Sequence, residues 1–275
     1  MATSNGYDLI ALDMDGTLLD PEKSVTDGVA QALEQAARAG KTIVLATGRC
    51  VSELAPYRDA LAPVRYAICE SGALLYDLGE ERVLASWALP PEVAPAVARE
   101  AAAEGAMVQG MSRGIGIAQR SHVPHMDRWK MGIYRPLYEE TATLVDDMNA
   151  ELNDPGRSWE KLNVFHLTPE SRERGREALR SLPVVFAYME ETSLEITAEG
   201  IDKGRGLLEL CRILGIDPAR TVGVGDGAND EPLLQAAGLA VAMGNATPEI
   251  AEMADATVAD TARDGAAEAI RRFLL

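Results

Sequence analysis

At 275 residues the chain has room for about two domains, each able to bury a core, on a prior of roughly 150 residues per domain. A formal charge of -17 at pH 7, with no basic stretch to reverse it locally, argues against nucleic acid and anionic membranes as partners. No apolar run approaches the roughly 20 residues that cross a bilayer, and MATSNG lacks a basic segment followed by an apolar one, so a cytoplasmic protein is expected. Cys50, Cys69 and Cys211 are far apart and share no CxxC spacing, so they read as small core residues and not as a disulfide or zinc framework.

In chain order, Tyr7 to Leu12 (YDLIAL) is an unbroken apolar run, the pattern of a strand covered on both faces of a parallel sheet. Thr26 suits a helix N-cap, Val29 to Ala39 carries apolar residues at helical spacing, and Gly40 suits the stop. A second buried strand is expected at Thr42 to Ala46, a helix at about Val51 to Leu61, and a strand at Tyr66 to Cys69, continuing a βαβ rhythm. The rhythm changes after Gly72, where Ala73 to Tyr76 and Arg82 to Ser86 flank LGEE as a hairpin. From Pro90 to about Leu194 the order helix, two strands, irregular stretch, helix, strand, helix, strand suits an inserted α+β domain. After Ile196 the parallel pattern returns, with a helix from Lys203 to Leu214, a strand at Thr221 to Gly225 and a helix starting near Asn229. The expected architecture is α/β: a Rossmann-like parallel core with helices on both faces, from residues 1–84 and 195–275, interrupted by an α+β cap at 85–194.

Candidate chemistry gathers just after the parallel strands, where open α/β sheets place ligands. Asp13-Met14-Asp15-Gly16-Thr17 puts two carboxylates one residue apart behind the first strand. Thr47-Gly48-Arg49 offers a hydroxyl and backbone N–H groups suited to an anion. Lys203 opens a helix, a position the helix dipole disfavours for a cation. Gly225-Asp226-Gly227-Ala228-Asn229-Asp230 places two more carboxylates around a helix start, oxygen ligands of the kind magnesium takes. Taken singly, each has a structural explanation: turn residues, a capping turn, a surface lysine. Acidic clusters behind two separate strands do not.

Together, DMDGT, the Thr of ATGR, Lys203 and GDGAND resemble, in order, the motifs of the haloacid dehalogenase-like phosphohydrolase superfamily. The large segment between the second and third motifs resembles the type C2B cap of its Cof-like phosphatases. The resemblance implies Asp13 as nucleophile, forming an aspartyl phosphate, and Asp15 as general acid and base. It implies Mg2+ held by Asp13, the main-chain carbonyl of Asp15 and Asp226, with Asp230 in or beside the shell. Thr47, Gly48, Lys203 and Asn229 would hold the phosphoryl oxygens of a small phosphorylated substrate, sugar phosphates ranking first by resemblance. The cap would close over it and restrict the leaving group.

Two positions depart from the pattern. Glu70-Ser71-Gly72 stands where relatives often have Asn-Gly, which puts Glu70 near the expected mouth, and DEPLL replaces a common methionine, read as core packing. In the cap, RSHVPHMDRWK gathers His122, His125, Arg128, Trp129 and Lys130, with Pro124 weakening a helical two-histidine metal site, and no catalytic duty follows. Arg113, Lys161 and His166 are further candidate specificity contacts. A hexose phosphomutase and a non-catalytic phosphometabolite-binding module remain alternatives, and oligomeric state is open.

Overall fold

The computed structural model describes residues 6–188 and 190–275. In chain order its strands are β1 (Leu9–Leu12), β2 (Thr42–Ala46), β3 (Tyr66–Cys69), β4 (Leu74–Asp77), β5 (Arg82–Ser86), β6 (Met107–Ser112), β7 (Ile115–Gln119), β8 (Thr143–Val145), β9 (Lys161–Phe165), β10 (Val184–Ala187), β11 (Ser193–Ala198), β12 (Thr221–Gly225), β13 (Leu239–Ala242) and β14 (Ala256–Thr257). The α-helices are α1 (Asp27–Arg38), α2 (Val93–Glu104), α3 (Arg135–Thr141), α4 (Met148–Leu152), α5 (Pro169–Leu179), α6 (Lys203–Leu214), α7 (Glu231–Ala236), α8 (Pro248–Met253) and α9 (Gly265–Ala269).

One sheet has the order β14-β13-β12-β1-β2-β3-β4-β5, parallel from β14 to β3 and antiparallel where β4 joins β3. It belongs to a compact unit made of residues through Gly48, Pro56–Ala85 and Asp202–Leu275. Every residue of β1 is buried, as its unbroken apolar sequence requires of a central strand flanked by β2 and β12. Thr26 caps α1, its hydroxyl accepting from the Val29 N–H at 3.2 Å, and Val29, Ala32, Leu33 and Ala36 form the buried stripe of an amphipathic helix. α1 packs against β2 and α9, and α6 packs against β3, β4 and α7. The helix expected from Val51 to Leu61 is instead a 3₁₀ stretch, Val51–Tyr57, containing Pro56, which has no N–H to continue a helical ladder.

The other unit, Arg49–Ala55 with Ser86–Ile201, carries the sheet β10-β11-β9-β6-β7-β8, antiparallel except for the β7–β8 pair. Its limits differ from the expected 85–194. β11 pairs with β9 and β10, which keeps the chain in this unit past residue 194. Arg49–Ala55 joins it because Ser52 N–H donates to the Gly114 carbonyl at 2.8 Å and the Gln109 amide to Glu53 Oε1 at 2.8 Å. One sheet face packs Val108, Leu162, Val164, Leu194 and Ile196 with Val93 and Val97 of α2. The opposite face, offset by one residue, packs Met107, Ala118 and Phe165 with Met126, Trp129 and Tyr138. The three cysteines are buried and form no disulfide. Among the described residues no helix is long and apolar enough to cross a membrane.

Candidate active site

Strand register assembles the site within the first unit. Leu12 pairs with Leu45 and with Val224, so the residues that follow β1, β2 and β12 emerge side by side at one edge of the sheet. These are Asp13, Thr47 and Asp226. Asp13 continues the β1 ladder by donating its N–H to the Val224 carbonyl at 3.0 Å, which holds its backbone rigidly. The chain then turns sharply at Gly16, whose φ is +85°. A Cβ at Gly16 would stand 2.4 Å from Asp226 Oδ2, so the second loop can approach only because that side chain is missing.

Lys203, the first residue of α6, is buried, and its ammonium donates to Asp13 Oδ1 and to Asp230 Oδ1, each at 2.6 Å. Two carboxylates outweigh the helix N-terminus that would otherwise repel it. Burial lowers the Lys203 pKa, but Asp13 and Asp230 outweigh that and hold it above its ordinary value, so the site keeps a fixed positive charge. The other oxygen of Asp230 accepts from the N–H groups of Asp226 and Gly227 at 3.0 and 3.1 Å. Asp230 therefore shapes the loop that presents Asp226, as well as facing the other carboxylates.

Carboxylate oxygens of Asp13, Asp226 and Asp230 all lie within 4.8 Å of one another. Burial first, then the Asp230 charge, push the Asp13 carboxyl well above its ordinary range, with Lys203 pulling the other way. Burial, again followed by Asp230, pushes Asp226 up to about 6, against the hydroxyl of Thr17. Three carboxylates around a single ammonium leave excess negative charge, and this hard-oxygen donor set fits a divalent cation that would relieve it.

Asp15 differs in environment: its side chain is about a quarter exposed, and Lys23 donates to it at 2.8 Å. Thr47 is buried at the end of β2, its N–H on the Ile68 carbonyl and its carbonyl accepting from Ser71 N–H at 3.1 Å. Gly48 and Asn229 are half-buried, Asn229 in the 3₁₀ turn Ala228–Asp230 after β12.

Sequence reasoning missed several supporting residues. Thr17 donates to Asp226 Oδ1 at 3.1 Å, and Asn245 donates to the Gly16 carbonyl at 2.8 Å while approaching Asp226 Oδ2 at 3.4 Å. Glu70 does not stand at a mouth: it is wholly buried, in a left-handed pair with Ser71 that leads into Gly72. Of DEPLL, read as core packing, Leu233 and Leu234 are buried in α7, and Pro232 occupies its first turn, where its missing N–H leaves no helical bond unmade.

In the second unit, Lys161 is buried and paired with Glu195 at 2.7 Å, and the buried His166 meets Glu100 at 2.8 Å. Arg113 and His125 are exposed, and Lys130 pairs with Glu191 at 2.6 Å.

Comparison with known proteins identifies the family. Residues 10–270 match the haloacid dehalogenase-like hydrolase family, to which the chain belongs. It is 28% identical over 273 residues to pyridoxal phosphate phosphatase YbhA of Escherichia coli, covering 97% of this chain and 98% of the relative. It is 27% identical over 267 residues to a phosphoglycolate phosphatase of Methanopyrus kandleri, covering 97% of each. A haloacid dehalogenase-like hydrolase from Bacteroides thetaiotaomicron superposes with TM-score 0.84 at 25% identity, over 97% of this chain and 99% of that one. The subclass IIB sugar phosphatase BT4131 does so with TM-score 0.80 at 25% identity, over 97% and 98%. The chain is accordingly a phosphatase of the Cof-like branch of that family.

Proposed function

We propose that the chain hydrolyses phosphomonoesters of small metabolites through a covalent phosphoryl group on Asp13. The observation that carries this reading is the pairing of a buried Asp13, held by Lys203, with a partly exposed Asp15 two residues along. An Asp13 oxygen attacks phosphorus as the bond to the ester oxygen breaks, and Asp15 gives that oxygen its proton. Asp15 then takes a proton from water, whose oxygen attacks the same phosphorus and breaks its bond to Asp13, releasing inorganic phosphate and restoring the Asp13 carboxylate and the protonated Asp15. Lys203, Thr47, the Gly48 N–H and Asn229 hold the phosphoryl oxygens, and positioning with charge complementarity supplies most of the catalysis. Asp13, the Asp15 carbonyl and Asp226 would hold Mg2+, with Asp230 in or beside the shell, and the ion would neutralise charge between nucleophile and phosphate.

The named relatives act on pyridoxal phosphate, phosphoglycolate and sugar phosphates, which share only a phosphomonoester on a small body. Sugar phosphates are the substrate class we place first. The test is phosphate release from a panel of phosphomonoesters, with and without magnesium, using wild type beside Asp13→Asn. Magnesium-dependent release that the variant loses supports the reading. No release from any ester, or equal release by the variant, overturns it, and activation by a hexose bisphosphate would redirect it to a mutase.

A further inference from the structure

The second unit contains a cavity of about 330 Å³ between the C-terminal half of α2, the 3₁₀ stretch Val123–Trp129 and α4. None of its lining residues belongs to the unit that carries Asp13. The cavity exists because α2 presents alanines there, including Ala101 and Ala102, while the Trp129 indole is pinned away by its N–H bond to the Gly105 carbonyl at 2.9 Å. Trp129, Ala101 and Leu152 give it an apolar wall, and His122, Arg128 and Asn149 a polar edge. No Asp or Glu lines it, on a chain whose formal charge is -17.

Hydrogen bonding determines what His122 can offer. The Met148 N–H donates to Gln119 Oε1 at 3.2 Å, which identifies the other amide atom of Gln119 as the donor. That nitrogen donates to Ser121 Oγ at 2.9 Å and faces His122 Nε2 at 3.4 Å, so Nε2 accepts and the proton sits on Nδ1. Burial, and then the charge of Arg128, lower the imidazole pKa and favour this neutral form. The Nδ1–H is buried and has no partner among the described residues. The guanidinium of Arg128 lies 5.3 Å from the Trp129 ring centroid, also without a carboxylate partner among the described residues. Arg120, Arg135 and Arg174 of the same unit each have one.

We infer that this cavity binds a small organic monocarboxylate with an aromatic or branched aliphatic body, the carboxylate on Arg128, the one guanidinium that lines it, and the body against the apolar wall. An apolar cavity of about 150 Å³ holds benzene, so this one has room for a ring with a short acidic chain. A dianionic phosphate would need more donors than one guanidinium.

The test is calorimetric titration of the full chain with 3-phenylpropionate, in the presence of magnesium and saturating inorganic phosphate to occupy the Asp13 site. Expected is one saturable site, weakened at least about tenfold both for the neutral 3-phenylpropanamide and in Arg128→Gln. Ala102→Leu, which fills the cavity from an exposed position, should abolish binding, with unliganded melting curves confirming that both variants fold. No saturable binding up to about 10 mM, or equal affinity for the amide or in Arg128→Gln, overturns the proposal.

Discussion

The ammonium of Lys203 sits 2.6 Å from Oδ1 of Asp13, joining the helix that opens the last quarter of the chain to the loop behind its first strand. The contact is buried on both sides, so truncation leaves two carboxylates, Asp13 and Asp230, without their shared cation. Lys203→Met should therefore destabilise the metal-free protein by about 3–5 kcal/mol and lower kcat/KM by at least about a hundredfold. Urea unfolding and steady-state kinetics check the two effects. Wild-type values in both would remove Lys203 from the site.

Asp13→Asn acts in the opposite direction on stability. It removes a charge from a cluster in which burial and Asp230 already disfavour ionisation, so the metal-free variant should melt at or above the wild-type temperature. Turnover should fall by about 10⁴-fold or more, as expected for a missing nucleophile. Asp15→Ala, which removes a proton carrier in a more open position, should cost about 10²- to 10⁴-fold. Comparable, small losses in both variants would sink the division of labour proposed for the two carboxylates.

Gly16→Ala tests whether the loops must touch. The added methyl would meet the Asp226 carboxylate at 2.4 Å, and its backbone would be held at φ +85°. Expected are a stability loss of about 1–3 kcal/mol and a larger fall in magnesium affinity than in fold stability. Magnesium titration beside thermal melting separates the two, and unchanged magnesium affinity would show that Asp226 can move without consequence.

Acid stability should carry a contribution from Asp77. Burial raises its carboxyl, but bonds from Arg65 and from the N–H groups of Glu80 and Gly79 outweigh burial and leave it below the ordinary value. A depressed folded-state pKa means that the stabilisation is complete above the unfolded value of about 3.9 and disappears as pH falls through the folded one. Arg65 is half exposed, which limits the effect to about 1–2 kcal/mol at pH 7. Asp77→Asn should lose that amount near neutrality and show a shallower fall in stability below pH 4. Equal acid limbs for the two proteins would assign the stabilisation to groups other than Asp77.

The edge that carries the candidate site was legible because parallel strands make its geometry simple. An apolar run followed at once by Asp13, and another followed by Asp226, must bring those side chains to the same edge once β1 and β12 pair in register. Lys203 was legible as a cation at a helix start that the dipole disfavours. Thr17 and Asn245 were not, because a hydroxyl or amide in a loop is ordinary until the fold places it against Asp226. The burial of Glu70 depends on left-handed backbone at two successive non-glycine residues, which their identities do not announce. In the second unit, the three-residue β8 and five-residue α4 are too short to show a period, so the expected element order there was incomplete.

The pairing of β1 with β12 also constrains how the molecule is made. The first strand leaves the ribosome about 210 residues before its partner, which at roughly 5–20 residues per second is a wait of about 10–40 s. Throughout that interval the fully apolar Leu9–Leu12 segment lacks one of its two neighbours, while Ser86–Ile201 is synthesised without interruption and contains every strand of its own sheet. The later-made unit can thus fold on the nascent chain before the earlier-begun one is complete, and strand exchange between neighbouring nascent chains is the hazard the order of synthesis creates.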